Sequence, residues 1–490
     1  MPPSIDMILI NKYLIEINNN HGEIMETKGK WGVVAAFVLS IVLFLALLTV
    51  CFSDNTGEVQ AQSVNPEKQV YVEKVERYME ELRAGNTSVI YQDASQEFID
   101  EFPESKFSEQ LASMFQMLGE YIVTTNVGVE LRDDYVTVIM TEEYFNDGDR
   151  IKSTLATMFV FDATTDELMG FKLKVPDTSI EAPEPQSSDK WEEIVLTVGE
   201  KYKLHAILTL PKNVDNPPVV ILVHGSGPND MNETIGKANN APFEDIAHGL
   251  ADQGIASLRY DKRTLVYPES FVGDYTIQDE VLDDVKSAIK QISQNEVIDS
   301  ERIYVIGHSL GGALVPVIAQ ENPEVKGVVS LAGSLRGLED LMYDQNMLIL
   351  KNSGYSDEEI AQMAIILDQQ RQAIKNITPD DDSLYYMTPA SYWYSLNSYD
   401  RAAIAQQLEI PMLILQGADD FQVYADVDYP LWQETLADKS NVTYNLYEGL
   451  NHLFMESDSQ KDVVDTTVYD KPANVDQQVI DDIANWINNL

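Results

Sequence analysis

The sequence predicts an α/β fold whose main domain, residues 191–490, is built on a doubly wound, mostly parallel β-sheet. Apolar, β-branched runs alternate with segments of helical periodicity after residue 191, which is the pattern of repeated strand–helix–strand units. The run 218–224 is almost uniformly apolar, as expected of a strand covered by helices on both faces. A second apolar run, 303–306, ends in a glycine-flanked serine and is followed by a helical pattern.

The first part of the chain is predicted to tether the protein to a membrane. Residues 1–30 are polar and are interpreted as a cytoplasmic tail, and the uncharged run 31–52 is long enough to cross a bilayer. Lys30 precedes this run and Asp54 follows it, so the positive-inside rule places the rest of the chain outside the cytoplasm. An uncleaved, single-pass signal anchor fits the length of the run. The alternative is a signal peptide cleaved after 59–61, which would release a secreted protein.

A small α+β domain is predicted at 70–175, between polar linkers at 53–69 and 176–190. Apolar residues at helical spacing occupy its first half, and alternating strands follow Gly119, beginning with separate strands at 121–125 and 127–131. Its sequence brings together no histidines, cysteines or paired carboxylates in a recognisable pattern, so we assign it no chemistry.

The charge and cysteine content exclude several classes of function. The chain has 490 residues and a formal net charge of −47, which argues against nucleic acid or an anionic membrane surface as a partner. An acidic surface that keeps the protein soluble is the simplest interpretation, and cationic substrates or a salty habitat are alternatives. The one cysteine, Cys51, allows neither an internal disulfide nor a structural cysteine zinc site. We predict no cofactor and no metal.

The pentapeptide Gly307-His-Ser309-Leu-Gly311 is the first motif that carries chemistry. It lies between a predicted strand and a predicted helix, and a serine at the apex of such a turn forms a nucleophile elbow. Small residues at 307 and 311 allow strand and helix to approach closely. The helix dipole favours negative charge that develops beside Ser309. Ser309 is therefore the candidate nucleophile.

A serine hydroxyl needs a base within hydrogen-bond reach, and the base needs an acid that orients it. In this architecture the acid and then the histidine follow the serine, each at the carboxyl end of a strand. Of the six histidines, His452 alone follows both the serine and the acid, directly after the predicted strand 442–447. We predict that His452 is the base.

The acid is predicted in the loop that follows the strand 411–416. The segment Gly417-Ala-Asp-Asp-Phe-Gln-Val423 fits the spacing Gly-x-x-Asp-x-x-Val, which favours Asp420. Asp419 is the alternative, and two further carboxylates, Asp426 and Asp428, are weaker candidates.

Two backbone amides are predicted to form an oxyanion hole. One belongs to Leu310, directly after the nucleophile, and the other to Ser226 in the loop after the strand 218–224. Flanking glycines at 225 and 227 allow this loop to turn its amides inward, and His224 is expected to shape it. The segment 260–263 is expected near the pocket entrance, with an Asp261–Arg263 pair that holds loops together or, alternatively, with side chains that contact the substrate.

Residues 333–400 interrupt the alternation of strands and helices. They are helical and aromatic and too long for an ordinary connection between two strands of a sheet. We predict a helical lid over the active site, with its aromatic side chains partly forming its own core and partly walling the substrate.

Together these residues resemble the α/β-hydrolase superfamily. The stretches 224–236 and 258–264 resemble bacterial carboxylesterases of the EstD type and are similar to sequences described as serine aminopeptidase-like. The domain at 70–175 resembles, more weakly, a small domain of unknown function with the nuclear-transport-factor fold. The resemblance implies cleavage of short to medium acyl esters without a cofactor, with Ser309 as nucleophile, His452 as base and Asp420 as acid.

The sequence leaves several functions open. A carboxylesterase acting on small-molecule acyl esters is the leading hypothesis. A serine aminopeptidase would need carboxylates that receive a free α-amine, and an acyltransferase would differ only in the second nucleophile. A non-catalytic surface binding protein is disfavoured because all three members of a triad are present.

Overall fold

The computed structural model describes residues 66–490, apart from gaps at 133, 147, 149, 175–177, 353 and 457–462. The predicted cytoplasmic tail and the apolar span 31–52 therefore lie outside the described residues. None of the helices within the described ranges is long and apolar enough to cross a membrane. Contacts divide the chain into two compact units, of which the larger comprises residues 180–490 and the hairpin tip 148–150, and the smaller ends at Ser179.

The smaller unit consists of helices followed by an antiparallel sheet in the sequential order β1-β2-β3-β4, with β5 paired to β3. Aromatic and aliphatic side chains from both layers form its core, and Tyr78, Phe98, Phe159 and Phe161 are among the most completely buried. The elements are α1 (Pro66–Arg83), α2 (Ser88–Asp93), α3 (Gln96–Glu101), α4 (Glu104–Leu118), β1 (Glu120–Leu131), β2 (Tyr135–Asn146), β3 (Ile151–Asp162), β4 (Leu168–Lys174) and β5 (Thr178–Ile180).

Two details of this unit differ from the sequence analysis. Residues 120–131 form one strand where two were predicted, because register shifts at Tyr121/Val123 and Thr124/Asn126 absorb the break in alternation as bulges. The core also holds a carboxylate, Glu142, which is 1% exposed and accepts hydrogen bonds from Arg83 and Tyr144. Buried charge of this kind is tolerated only when it is paired.

The larger unit is built on an eight-stranded sheet in the order β15-β14-β11-β10-β8-β9-β7-β6. All neighbours from β15 to β9 are parallel, and β7 pairs antiparallel with both β9 and β6. The strands are β6 (Trp191–Val198), β7 (Leu204–Pro211), β8 (Val219–Val223), β9 (Ala256–Tyr260), β10 (Ile303–His308), β11 (Val325–Leu331), β14 (Met412–Gly417) and β15 (Val442–Tyr447).

Along the chain, the helices of this unit fall between successive strands, as in a doubly wound sheet, and the last helix follows the last strand. They are α5 (Pro242–Ala251), α6 (Arg263–Val266), α7 (Asp283–Ser293), α8 (Leu310–Glu321), α9 (Leu338–Asn352), α10 (Asp357–Lys375), α11 (Ala390–Asn397), α12 (Arg401–Gln407), α13 (Ala425–Thr435) and α14 (Gln477–Asn488). A π-helical turn, Gln278–Leu282, runs directly into α7, and short 3₁₀ turns lie at Pro268–Phe271 and Thr466–Asp470.

The central position of three strands explains the continuous apolar runs in the sequence. Every residue of β8, β10 and β14 is buried, so these strands have no solvent-facing side on which polar residues could alternate. The carboxyl ends of β8, β10, β14 and β15 lie at one edge of the sheet because the strands are parallel. The loops that carry the predicted site residues therefore all leave from that edge.

The segment 333–400 folds as α9, α10, a small hairpin of β12 (Leu384–Tyr385) with β13 (Thr388–Pro389), and α11. Trp393 is 1% exposed and donates its indole N–H to the carbonyl of Tyr385 at 3.1 Å, so part of the aromatic set forms the segment's own core, as predicted. Helix α11 is tied to the π-helical region, because the Ile277 amide donates to the Ser395 hydroxyl at 3.0 Å.

Candidate active site

Ser309 lies at a sharp turn between β10 and α8. Its backbone has φ of +53° and ψ of −113°, a conformation that costs energy in a residue with a side chain and is typical of functional sites. Two backbone hydrogen bonds hold it there: its amide donates to Leu331 at 2.8 Å, and its carbonyl accepts from the amide of Ala313 at 2.9 Å. The predicted nucleophile elbow is thus present in its expected geometry.

The glycines around Ser309 are required by contact distances. A Cβ atom on Gly307 would lie 2.2 Å from the carbonyl oxygen of Gly311, and one on Gly311 would lie 2.4 Å from that of Val223. The Gly311 amide also donates to the carbonyl of His224 at 3.1 Å. Strand β8, strand β10 and helix α8 are therefore packed backbone to backbone beneath the serine.

His452 and Asp420 are in direct contact. The Nδ1 atom of His452 lies 2.7 Å from Oδ2 of Asp420, and the carboxylate is completely buried. Its other oxygen accepts the amides of Gln422 at 2.7 Å and Val423 at 2.9 Å. Gln416 donates to Oδ2 at 3.0 Å. These donors hold the carboxylate in a fixed orientation toward the imidazole.

The other candidate acids have different surroundings. Asp419 is only half-buried, and its amide donates to the carbonyl of Leu450 at 3.0 Å. Asp428 is buried, but it accepts from Arg336 at 2.8 Å and from Ser334. Asp426 lies in the first turn of α13. The hydrogen bond to His452 therefore singles out Asp420 among the four carboxylates that the sequence offered.

Ser309 and His452 are brought near each other through His308. The ring of His308, the residue before the serine, lies 3.1 Å from the carbonyl oxygen of His452, and the two imidazoles are 4.7 Å apart between centroids. Among the described residues no hydrogen bond joins the Ser309 hydroxyl to His452. Such contacts commonly form only when substrate is bound.

The loop after β8 lies beside the nucleophile. A Cβ atom on Gly225 would be 3.1 Å from Cβ of Ser309, and Ser226 next to it is exposed. Within the described ranges, neither the amide of Ser226 nor that of Leu310 has a hydrogen-bond acceptor. Both predicted oxyanion donors are therefore free to bind a ligand oxygen.

The carbonyl groups of Gly225, Ser226 and Gly227, in contrast, each accept a hydrogen bond from a side chain. Lys262 donates to the carbonyl of Gly225 at 2.6 Å, Asn229 to that of Ser226 at 3.2 Å and Thr264 to that of Gly227 at 3.0 Å. The side chains thus hold the loop by its oxygens and leave the N–H of Ser226 for the site.

Glu233 is a buried member of the site that the sequence did not reveal. One of its oxygens accepts the amide of Gly225 at 2.6 Å, and the other lies 2.7 Å from Nδ1 of His308 as an ion pair. Burial acts to raise the pKa of Glu233, but the charge and hydrogen bond of His308, together with the charge of His224 and the Gly225 amide, lower it to about 2. Burial acts to lower the pKa of His308, and Glu233 raises it above its ordinary value.

His224 is buried without charge beside this pair. Burial lowers the pKa of its imidazole to about 4, although Glu233 acts to raise it. Its Nε2 atom has no hydrogen-bond partner in the described part of the chain. His224 packs against Phe243 and Tyr260, which suits the shaping role predicted for it.

The predicted pairing of Asp261 with Arg263 is wrong. Arg263 instead contacts Asp284 through a bidentate pair in which both residues are 5% exposed, and Lys262 pairs with Glu280 at 2.6 Å. The segment is buried rather than placed at the mouth of a pocket. These partners leave no pattern in the sequence, because both carboxylates lie further along the chain, in the π-helical turn and in α7.

Comparison with known proteins connects this geometry to a family. Residues 216–459 match the protein family described as serine aminopeptidase, S33. Esterase EstD of Thermotoga maritima is 39% identical over 310 residues, which cover 63% of this chain and 71% of EstD. The predicted resemblance to carboxylesterases of the EstD type is thereby confirmed.

Similar solved structures also include esterases and a peptidase. Est1E from Butyrivibrio proteoclasticus, solved with ferulic acid, is 17% identical with a TM-score of 0.38, covering 60% of this chain and 98% of that chain. A puromycin-hydrolyzing peptidase of Mycobacterium tuberculosis is 14% identical with a TM-score of 0.42, covering 76% and 53%. The identity to EstD over most of its length is the finding that assigns the family. This chain belongs to the family of α/β-hydrolases that includes esterase EstD.

Proposed function

We propose that this protein is a carboxylesterase that cleaves small-molecule acyl esters through an acyl-enzyme intermediate on Ser309. The observation that carries the proposal is the buried Asp420–His452 hydrogen bond at the same sheet edge as the strained Ser309 turn. Membership of the EstD family supports the same chemistry.

In the first half of the reaction, Ser309 Oγ attacks the acyl carbon and its proton passes to Nε2 of His452. Asp420 holds the imidazole by Nδ1 and stabilises the imidazolium that forms. The negative charge on the former carbonyl oxygen faces the free amides of Leu310 and Ser226. The carbon–oxygen bond of the ester then breaks, and His452 returns the proton to the leaving alcohol.

In the second half, water replaces the alcohol. His452 takes a proton from the water, whose oxygen attacks the acyl carbon, and the same two amides receive the second oxyanion. Collapse of this intermediate releases the carboxylic acid and restores the Ser309 hydroxyl. These steps use the ester, one water molecule, and the side chains and backbone amides of this chain.

We assign the acyl specificity to the segment 333–400 as a lid. The length of the segment and its place between β11 and β14, at the carboxyl edge of the sheet, support this assignment. The hydrogen bond between the Ile277 amide and Ser395 on α11 attaches the segment to the main domain. Short to medium acyl chains are the expected substrates.

The family description favours one second candidate, a serine aminopeptidase. Turnover of p-nitrophenyl acyl esters and of aminoacyl p-nitroanilides by the purified protein separates the two functions. We expect the esters to be cleaved faster and all turnover to be lost in Ser309→Ala. Faster cleavage of the anilides would replace the esterase assignment with the peptidase.

We also propose that the enzyme works outside the cytoplasm, tethered by the apolar run 31–52. The support is the uncharged length of this run and the lysines that precede it. Protease added to intact cells should digest the catalytic domain, whereas a cleaved signal peptide would place it in the medium. Protection of the domain from protease until the cells are lysed would refute both placements.

A further inference from the structure

The peptide group that joins Gly225 to Ser226 has a buried cation on its oxygen. Lys262 is 3% exposed, and its Nζ atom donates to the carbonyl oxygen of Gly225 at 2.6 Å. The N–H of the same peptide group belongs to Ser226 and is one of the two free amides beside the nucleophile. A charge placed on one end of this peptide therefore acts on the donor at its other end.

Peptide geometry fixes the direction of that donor. No peptide bond in the described residues is cis, and in a trans peptide the C=O and N–H bonds point in opposite directions. Lys262 holds the carbonyl on its buried side, so the N–H of Ser226 points away from Lys262. Ser226 is exposed and Gly225 adjoins Ser309, which places that open side at the nucleophile.

The ammonium also changes the strength of the donor. A cation at the carbonyl oxygen draws electron density from the amide nitrogen, so the N–H becomes a better hydrogen-bond donor. This gain is largest when the acceptor carries a full negative charge, as in the tetrahedral intermediate, and small when it is a neutral ester carbonyl. Such an interaction lowers the activation barrier more than it tightens substrate binding.

Glu280 keeps the ammonium in place. Its carboxylate lies 2.6 Å from Nζ of Lys262. Glu280 stands in the π-helical turn Gln278–Leu282, a rare geometry that recurs at functional sites. A buried ion pair contributes little to stability once desolvation is counted, so its presence here calls for another role.

We propose that Lys262 is a positioning residue of the oxyanion hole: held by Glu280, its ammonium orients and polarises the Gly225–Ser226 peptide whose N–H receives the oxyanion. The proposal rests on the proposed esterase function and adds a residue that the triad does not include.

The neighbouring pair Arg263–Asp284 supplies a matched control. It is also buried, is one residue further along the chain, and among the described residues its side chains make no hydrogen bond or ion pair with the 225–227 loop. The double variants Lys262→Met/Glu280→Gln and Arg263→Met/Asp284→Asn each remove one buried ion pair without leaving a lone charge. Only the first removes the cation from the Gly225 carbonyl.

The experiment measures kcat and KM on p-nitrophenyl butyrate and the affinity for phenylboronic acid, which forms an anionic tetrahedral adduct on a nucleophilic serine. For Lys262→Met/Glu280→Gln we expect kcat to fall by about tenfold or more, KM to change by less than about twofold, and boronate affinity to fall with kcat. Arg263→Met/Asp284→Asn should keep kcat and boronate affinity within about threefold of the wild type.

Equal losses in the two double variants, or a loss confined to KM, would overturn the role of Lys262 while leaving the esterase assignment intact. A wild type that neither hydrolyses the ester nor binds the boronate would overturn both. If the first double variant does not fold, Glu280→Gln alone serves, because it keeps both side-chain volumes. It should lower kcat and boronate affinity together by about threefold, and unchanged values would contradict the proposal.

Discussion

Asp419 and Asp420 are adjacent in the chain, but only Asp420 is buried against His452. We expect Asp420→Asn to lower kcat by about 10³- to 10⁴-fold, because the amide favours the wrong imidazole tautomer and cannot stabilise the imidazolium. Asp419→Asn is the matched control and should stay within about threefold of the wild type. Steady-state kinetics on a p-nitrophenyl ester measures both, and the reverse order of effects would move the acid to Asp419.

His224 makes the free energy of unfolding depend on pH. Its pKa of about 4 in the folded protein lies below the ordinary value of 6.5, so the unfolded chain binds the proton more tightly between these values. Its contribution to stability is therefore complete above pH 6.5 and is lost as the pH falls toward 4. Glu233, Lys262 and His308 are the charged groups that act on its ring.

Urea unfolding of the wild type and of His224→Phe at several pH values tests this effect. The wild type should lose up to about 3 kcal/mol more than the variant between pH 6.5 and pH 4, because only the histidine must be kept neutral against protonation. Phenylalanine preserves the aromatic contact with Phe243. Parallel pH profiles for the two proteins would show that another group causes any acid sensitivity.

The candidate triad was predictable because each of its members belongs to a local pattern with a required order. Ser309 is marked by its pentapeptide, and Asp420 and His452 follow later strands. Glu233 and Lys262 were not predictable as site residues, because their roles arise where separate loops meet. Such contacts leave no spacing in the sequence. The sequence marks Lys262 only as part of the charged segment 260–263, and no pattern marks its partner Glu280.

At the scale of elements, the elbow depends on close backbone packing. We expect Gly311→Ala to destabilise the protein by at least about 3 kcal/mol and to abolish activity, because its Cβ would lie 2.4 Å from the carbonyl oxygen of Val223. Gly128→Ala is the control, since nothing lies within 4 Å of the added atom. Thermal unfolding of both variants measures the difference, and equal transitions would contradict the packing argument.

The segment 333–400 offers a second test at this scale. Trp393 is 1% exposed, and Trp393→Ala removes the centre of the segment's own core. If the segment acts as a lid, the ratio of kcat/KM for octanoate and acetate esters should change by about tenfold, while a fluorophosphonate should still label Ser309. An unchanged ratio in a folded variant would remove the segment from substrate selection.

The parallel core of the sheet was the part of the fold that the sequence predicted best. Strands β8, β10 and β14 are buried throughout, and burial on both faces produces the solid apolar runs that mark them. The strand order and the joining of two predicted strands into β1 were not predictable in the same way. Pairing and bulges depend on neighbours that are distant in the chain.

For the whole molecule, the predicted linker 176–190 contains the point at which contacts divide the chain, between 179 and 180. All candidate site residues lie in the larger unit, and the smaller unit has no chemistry assigned to it. The net charge of −47 is a property of the entire chain, and an acidic surface favours solubility.

We propose that Ser309 is the activated nucleophile of a serine esterase. Incubation of the whole protein with a fluorophosphonate, followed by peptide mapping in the mass spectrometer, tests it most directly. We expect one phosphonate per chain, on the peptide that contains Ser309, and none in Ser309→Ala. An unlabelled wild type, or equal labelling of the wild type and Ser309→Ala, would contradict it.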